Sequence, residues 1–553
     1  MPGLMLTVYL AALDQTIVSV ALPTIVEQVG GGPSTFTWVA SAYLLTATSL
    51  IPFWGRLSDI LGRRIMLWIA ILIFLFGSGM CAAAQSATWL NICRGVQGVG
   101  GGGIIALAQI VLGDIYTLEQ RGAAQGLFGA VWGLASVSGP LIGGAIADAT
   151  TWRWLFLINL PLGVVPFVVL FFNLKVNNTR KRTPREVWAE FDVYGYLLLL
   201  AAIVTFLLGF IYSEIETFDS ARTIALLAVG GALFPVFICW EFYAERRWPG
   251  LRPIIPTRLF RLRTTVLALV GVVCHGIAFF AATFYIPVYF QILGSSPIFS
   301  AVQQLPFSLV SAVVSALSGL TMTKTRAYRP VFIGGFAVYF LGQGLMILLD
   351  ADSNKATQEI TILIAGMGLG CLFLAPTIAI TAAMPHTEMA ASVSAMAMVR
   401  STSGALGIAI AGAIFSARVR SGAAGLVGFE PPENPTADIR GIASLQPLEL
   451  RREVTVLYAD AVRTLWIILT PIVGVGFLAS LGLKGYSLSR RNVHAGAEEK
   501  DKKADANDPE KQAHVADAAE EADSDLEGTH DSTLHSTADS APVRTGLDPA
   551  HKA

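Results

Sequence analysis

The feature that most constrains this chain is a recurrence. Runs of predominantly apolar residues, each ended by charge, proline or glycine clusters, follow one another from the first residues to Leu483. A helix needs ~20 such residues to cross ~30 Å of hydrocarbon, where every backbone N–H and C=O must be paired within its own segment. Fourteen runs qualify, at 4–26, 37–54, 65–84, 89–113, 123–147, 155–173, 193–213, 223–243, 266–290, 300–323, 331–349, 359–382, 393–417 and 461–483. The predicted class is an all-α polytopic membrane protein with 14 transmembrane helices. Composition agrees, since 54% of the 553 residues are apolar and 14% charged, against ~25% charged in soluble domains. No polar linker divides residues 1–483, which excludes a string of soluble domains.

An even number of spans puts both termini on one side, and Lys and Arg in the short loops say which. Loops after even-numbered spans carry eighteen, including Arg56, Arg63, Arg64, Arg121, Lys175 and Arg180, whereas the opposite short loops carry Arg153, Arg222 and Lys355. Both termini are therefore expected in the cytoplasm, and the sequon Asn177-Asn178-Thr179 should face the cytosol unmodified. Span 1 has no small-residue cleavage site followed by a soluble domain, so it reads as a retained helix. The net charge of −1 points neither to nucleic acid nor to an acidic partner. Cys81, Cys93, Cys239, Cys274 and Cys371 are isolated within apolar runs, which argues against a disulfide framework or a zinc site.

Two segments are expected outside the membrane. Residues 418–460, with Pro431, Pro432, Pro435 and Pro447, read as the one long extracytoplasmic loop. Residues 484–553 have no aromatic residue after Tyr486 and read as a disordered cytoplasmic tail, because they cannot bury enough apolar area to offset ordering. The tail's five histidines are solvated filler or, alternatively, metal ligands.

Several residues carry chemistry of their own. Asp14 and Arg94 lie inside spans, where a charge costs at least ~2.5–3.5 kcal/mol, so each should face water or a partner rather than lipid. An aspartate exposed alternately to burial and to an arginine can bind and release a proton; a fixed, hydrogen-bonded structural role is the other reading of Asp14. The segment Gly55-Arg56-Leu57-Ser58-Asp59-Ile60-Leu61-Gly62-Arg63-Arg64 reads as a tight loop between spans 2 and 3. Its one carboxylate among three arginines can switch ion pairs and latch a conformation, or the arginines serve only as a positive-inside anchor.

Gly98 to Gly103 contain G-x-G-x-x-G but sit in an apolar span with no preceding strand, which excludes a dinucleotide site. Glycines there let helix backbones approach closely. In span 5, Gly139-Pro140 should kink the helix, with Gly143 and Gly144 packing on a neighbour, a hinge and seal. Span 9 is rich in aromatics. Phe284, Tyr285 and Tyr289 either fill the core or line a cargo cavity, offering π surfaces to flat or cationic compounds. Arg400 in span 13 is a structural tie between helices or a cargo contact, and His275 is a satisfied polar residue or a proton carrier.

The 55–64 segment resembles the signature loop of the major facilitator superfamily, matching at Gly55, Asp59, Gly62, Arg63 and Arg64 and departing at Ile60. Leu13-Asp14-Gln15-Thr16-Ile17-Val18 to Ala21-Leu22-Pro23, Arg94-Gly95-Val96-Gln97-Gly98, Gly139-Pro140-Leu141-Ile142-Gly143-Gly144 and Trp152-Arg153-Trp154 to Asn159-Leu160-Pro161 are similar to signatures of its fourteen-span drug:proton antiporters, in matching order. Tyr285 to Gln291 and Arg400 to Phe415 resemble the family's second half.

The resemblance implies the major facilitator fold, with two six-helix bundles plus two inserted helices. The domains would be 1–173, an N-terminal bundle; 174–263, cytoplasmic linkers with the inserted helices; 264–483, a C-terminal bundle; and the tail 484–553. It implies proton coupling through Arg94 and Gln97 beside Asp14, and proton-coupled efflux of hydrophobic or amphiphilic drugs, toxins or secondary metabolites, glycolipids among them, by alternating access. A vacuolar basic amino acid or siderophore transporter is the alternative, and a membrane sensor a further one. No G-x-S-x-G, H-E-x-x-H or ATP-binding loop is present, so no enzyme is expected. The expected partners are small-molecule cargo, protons and the lipid bilayer, with no cofactor beyond the proton gradient, no metal and no nucleic acid. The expected state is a monomer in the plasma membrane or, alternatively, the vacuolar membrane.

Overall fold

The computed structural model describes residues 1–30, 35–115, 118–173, 190–216, 218–248, 250–251, 253–385, 388–426, 428–429, 435, 439, 441–442 and 445–486. The tail 487–553 lies outside the described residues. Among the described residues there are eighteen α-helices and no β-strand. In chain order they are α1 (Pro2–Val29), α2 (Thr35–Ser49), α3 (Ile51–Leu61), α4 (Arg63–Ala82), α5 (Ala87–Ile115), α6 (Leu118–Ala149), α7 (Trp154–Leu157), α8 (Asn159–Asn173), α9 (Val193–Glu216) and α10 (Ala221–Arg247). There follow α11 (Arg258–Arg261), α12 (Arg263–Ile292), α13 (Pro297–Thr325), α14 (Arg329–Leu345), α15 (Lys355–Leu372), α16 (Ala375–Ala383), α17 (Met389–Ala423) and α18 (Leu448–Leu481).

Among the described residues, thirteen segments are long and apolar enough to cross a membrane. The fourteenth expected span, 37–54, falls on α2 and α3, each too short alone. They join at Leu50, where Pro52 has no N–H to offer, yet the Trp54 N–H still donates to the Leu50 carbonyl at 3.0 Å. The expected 359–382 span is likewise divided, into α15 and α16, at Phe373-Leu374.

α1 is the most enclosed element, with 89% of its most apolar stretch buried, and α12 follows at 72%. Burial on every side explains why both are apolar all round rather than striped. α1 packs against α2, α5, α6 and α8, and α12 against α13, α16, α17 and α18. The first-half and second-half helices meet along α6 with α13 and α2 with α17. Within the first half, the close approach of α5 to α2 and α4 requires glycine. A Cβ on Gly102 of α5 would lie 2.6 Å from the Ala47 backbone of α2, and one on Gly100 would lie 2.6 Å from the Ala70 carbonyl of α4. The glycine run is thus a helix-packing wedge, as expected without a nucleotide role.

α9 and α10 pair with each other as a hairpin whose second helix is only 17% buried over its apolar stretch. Polar contacts fix one end of it. Asp192 Oδ1 accepts the Gly195 N–H (2.8 Å), Trp240 Nε1 donates to Asp192 Oδ2 (2.9 Å), and Glu241 Oε2 accepts the Ile254 N–H (3.1 Å).

Two expectations are corrected. Residues 55–61 are not a loop but the end of α3, and Gly62 alone makes the turn with φ 91°, a conformation that L side chains rarely adopt. The segment 418–460 is helical at both ends, since α17 runs to Ala423 and α18 begins at Leu448. Charge there stops the apolar pattern without stopping the helices, whose extensions are joined by Arg418 Nη2 and Asp460 Oδ2 at 2.8 Å.

The packing predicts a contrast between two glycines. Gly102→Val should lower the detergent-solubilised thermal midpoint, at an overpacking cost of about 1–3 kcal/mol. Gly79→Ala, whose Cβ meets nothing within 4 Å, should leave it unchanged or raise it, because alanine is the better helix former. Thermal unfolding followed by tryptophan fluorescence measures both.

Candidate functional site

The first half of the chain contains one dense polar cluster, built on α1, α4, α5 and the start of α8. Asp14 is 0% exposed and Arg94 2% exposed. Arg94 Nη1 donates to Asp14 Oδ2 at 2.6 Å and to Gln97 Oε1 at 2.7 Å, while its Nε donates to the Val39 carbonyl of α2 at 3.1 Å. Gln97 Nε2 donates to Asp14 Oδ1 at 2.8 Å and to Ser78 Oγ at 3.0 Å. Asn159 Nδ2 donates to the same Asp14 oxygen at 2.8 Å and to Ser78 at 2.9 Å. Ser78 in turn donates to the Phe156 carbonyl at 2.9 Å. The guanidinium lies 4.5 Å over the Tyr43 ring, a face that favours a cation.

Helix geometry makes this possible. Arg94 and Gln97 are three residues apart and so share one face of α5, and Gly77 of α4 lets that face come close, since its Cβ would lie 2.6 Å from the Gln97 backbone. Three donors meet the carboxylate, so a charge that would be prohibitive unpaired in hydrocarbon is satisfied, while Asn159 Oδ1 and the Tyr43 hydroxyl are buried without a hydrogen-bond partner among the described residues. The expected residues Asp14, Arg94 and Gln97 therefore stand together. Asn159, Ser78 and Tyr43 were not singled out by the sequence reading. Asn159 had a signal in its Asn159-Leu160-Pro161 match; Ser78 and Tyr43 had none.

The switch residues are partly described. Arg63 Nη1 donates to Ser58 Oγ, and Arg64 Nη2 donates to the Phe171 carbonyl of α8, with its guanidinium 4.5 Å over Trp68. These contacts tie the α3–α4 turn to the end of α8. Gly55 is inside α3 and Gly62 forms the turn. The side chains of Arg56 and Asp59 lie outside the described residues.

In α6, which stays one helix through Pro140, the glycines divide between two neighbours. Gly139 and Gly143 face Thr16 and Ile17 of α1, whereas a Cβ on Gly144 would lie 2.7 Å from Ile298 Cα of α13. Asp148, one turn on, accepts from Ser296 Oγ and from the Ile298 N–H, both at 3.0 Å, at the start of α13.

The expected cargo cavity is not open at its aromatic members. Phe284, Tyr285 and Tyr289 are buried, with Tyr285 packed on Phe36 of α2 and Phe415 of α17 and the Tyr289 hydroxyl donating to the Asp350 carbonyl at 2.7 Å. Ring-on-ring packing fills the space, so in this conformation they close the core. Arg400 Nη2 donates to the Phe373 carbonyl at 3.1 Å and so ties α17 to the α15–α16 break. His275, expected to be satisfied if structural, has no hydrogen-bond partner for either ring nitrogen among the described residues.

An uncharacterised transporter of Schizosaccharomyces pombe is 39% identical over 491 residues, covering 88% of this chain and 82% of its own length. The efflux pump dotC of Dothistroma septosporum is 34% identical over 487 residues, with 87% and 82% covered, and the efflux pump FUS6 of Gibberella moniliformis is 33% identical over 496 residues, with 87% of each covered. Among solved structures, an inward-facing bacterial homologue of the human lysosomal transporter Spinster superposes with a TM-score of 0.55 at 16% identity, covering 87% of this chain and 95% of that one. The Escherichia coli xylose transporter XylE gives 0.53 at 12% identity, covering 87% and 95%. These two speak to the fold alone. The profile of the Major Facilitator Superfamily matches residues 4–408, and the chain is a multi-pass membrane protein belonging to that transporter superfamily, with its fold.

Proposed function

We propose that the protein is a proton-coupled exporter of hydrophobic or amphiphilic small molecules, working by alternating access of its two halves, in the plasma membrane with both termini cytoplasmic. The observation that carries this reading is the enclosed Asp14–Arg94–Gln97–Asn159 cluster. The naming of similar fungal proteins as efflux pumps supports the direction of transport.

The cluster suggests how a proton does work. A proton arriving on Asp14 Oδ2 takes the place of the Arg94 N–H, while the guanidinium keeps Gln97 Oε1 and the Val39 carbonyl as acceptors. That loosens α1 from α5 at one point. α1 also backs onto Gly139 and Gly143 of α6, and α6 meets α13 at Gly144 and Asp148, so a shift of α1 bears on the seam between halves. Asp59, Arg63 and Arg64 stabilise the state in which the cytoplasmic end is closed. Each proton moved down 100 mV supplies about 2.3 kcal/mol, and each further tenfold of pH difference about 1.4 kcal/mol, enough to concentrate cargo.

Uptake of a fluorescent amphiphile into inside-out proteoliposomes under an imposed pH gradient tests the reading. Arg94→Ala should abolish uphill transport yet leave some downhill exchange. Asp14→Asn should flatten the pH dependence of transport by removing the titrating group. If both variants concentrate cargo as well as the parent, coupling lies elsewhere. Truncation after Ser489 should leave flux per molecule near normal, and a truncated protein that binds cargo without moving it would contradict that expectation.

A further inference from the structure

The two halves of the bundle treat an arginine within a span differently. In the first half, Arg94 is neutralised by Asp14. In the second half, Arg400 has no carboxylate within reach among the described residues. The helices α12, α13, α14, α16 and α17 contain no Asp or Glu at all. Glu359 is about 21 Å along α15 from Phe373, and Asp460 of α18 is paired with Arg418. Arg400 spends Nη2 on the Phe373 carbonyl, while its Nε is buried without a hydrogen-bond partner.

Beside it stands a second group with the same deficit. His275 is 0% exposed, and neither Nδ1 nor Nε2 has a partner. The helices approach closely beside His275, since a Cβ on the next residue, Gly276, would lie 2.9 Å from the Arg400 carbonyl oxygen. Phe373 links them, its carbonyl on Arg400 and its ring 5.3 Å from the imidazole. The Phe279 ring lies parallel to that of His275 at 5.9 Å.

The place is where a transporter would put a ligand. His275 is about 18 Å along α12 from Arg263, Arg400 about 17 Å along α17 from Met389, and Phe373 about 15 Å from Ala383. These helix ends lie on one membrane face because successive spans alternate, so all three residues are near the midplane of a ~30 Å core. Phe373 also sits at the break in the α15–α16 span, where Pro376 has no N–H to offer Leu372. Discontinuous helices at mid-depth are how such folds expose polar groups to a substrate.

A half-buried, uncompensated guanidinium and a fully enclosed imidazole N–H lack the same thing: an oxygen that accepts hydrogen bonds and carries negative charge. We propose that His275 and Arg400 form the recognition site for an anionic oxygen of the cargo, a carboxylate or phenolate attached to an apolar or aromatic body that Phe279 and Phe373 flank. This deepens the export reading and rests on it. The site selects against lipophilic cations, because the guanidinium repels them with no acid nearby to attract them.

The test is equilibrium binding of two dyes on one ring frame, anionic fluorescein and cationic rhodamine 6G, to purified full-length protein in detergent. The parent should bind fluorescein at least tenfold more tightly. Arg400→Gln should weaken fluorescein at least tenfold without weakening rhodamine 6G, and His275→Leu should weaken it severalfold. Arg400→Lys, which keeps the charge, should retain the preference; it and His275→Leu carry the test if Arg400→Gln does not yield a monodisperse species. A purely structural tie would not discriminate dyes by charge. Equal or tighter binding of rhodamine 6G, fluorescein binding unchanged in Arg400→Gln or His275→Leu, or a parent that binds neither dye overturns the proposal. So does loss of fluorescein binding in chloride that gluconate restores, since a free inorganic anion then fills the site. No gradient is used, so a protein that binds fluorescein but fails to pump contradicts the export reading alone.

Discussion

A carboxylate and a guanidinium held 2.6 Å apart in a membrane-spanning bundle set the terms on which the helices around them can pack. Removing one partner of such a pair strands the other, at a cost of about 3–5 kcal/mol when both are buried. Every neighbour must therefore contribute a donor, an acceptor or closeness. Gln97 and Asn159 supply donors, the Val39 carbonyl takes the spare N–H of Arg94, and glycines at positions 77, 98, 100 and 102 bring the backbones near enough for short side chains to meet. The glycine-rich face of α5 and the charge on it are two parts of one arrangement.

Spans were legible where hydrocarbon is the only solvent and twenty apolar residues are the sole signal required. They were less so where a helix outruns or interrupts that signal. The 37–54 run was visible, but its division at Leu50 and its continuation as α3 through Arg56 and Asp59 were not, because polar residues there end the apolar pattern while the backbone keeps its hydrogen bonds. The same holds for Leu448 to Asp460, helical despite their charge. In the site, Asp14 and Arg94 announced themselves as charges that lipid would reject. Ser78 is short and uncharged and fits any helix, so only the fold reveals that it accepts from both Gln97 and Asn159. The span-9 aromatics carried no periodicity that separates core from cavity, and Phe284, Tyr285 and Tyr289 are core in this conformation.

The halves of the bundle thus differ in kind. Among the described residues inside the spans, Arg94 of the first half is answered by Asp14, whereas Arg400 of the second half bonds a backbone carbonyl and no carboxylate. A neutral pair can respond to a single proton because any change in its charge unbalances it.

The overhang of α17 and α18 has a mechanical consequence. The two helices are 35 and 34 residues long, roughly 50 Å each, and exceed the ~30 Å hydrocarbon core by about 20 Å. The Arg418–Asp460 bridge and the Phe415–Tyr458 ring contact splint them together near that end. A stiff pair anchored in the bilayer and projecting beyond it is a lever. Any tilt of the second half about its midplane is magnified at the tip in proportion to length, so the exposed end at Gly422 and Leu448 travels farther than any residue in the core. A spectroscopic label placed there would read the stroke of the transport cycle from outside the membrane, at a point far from cargo.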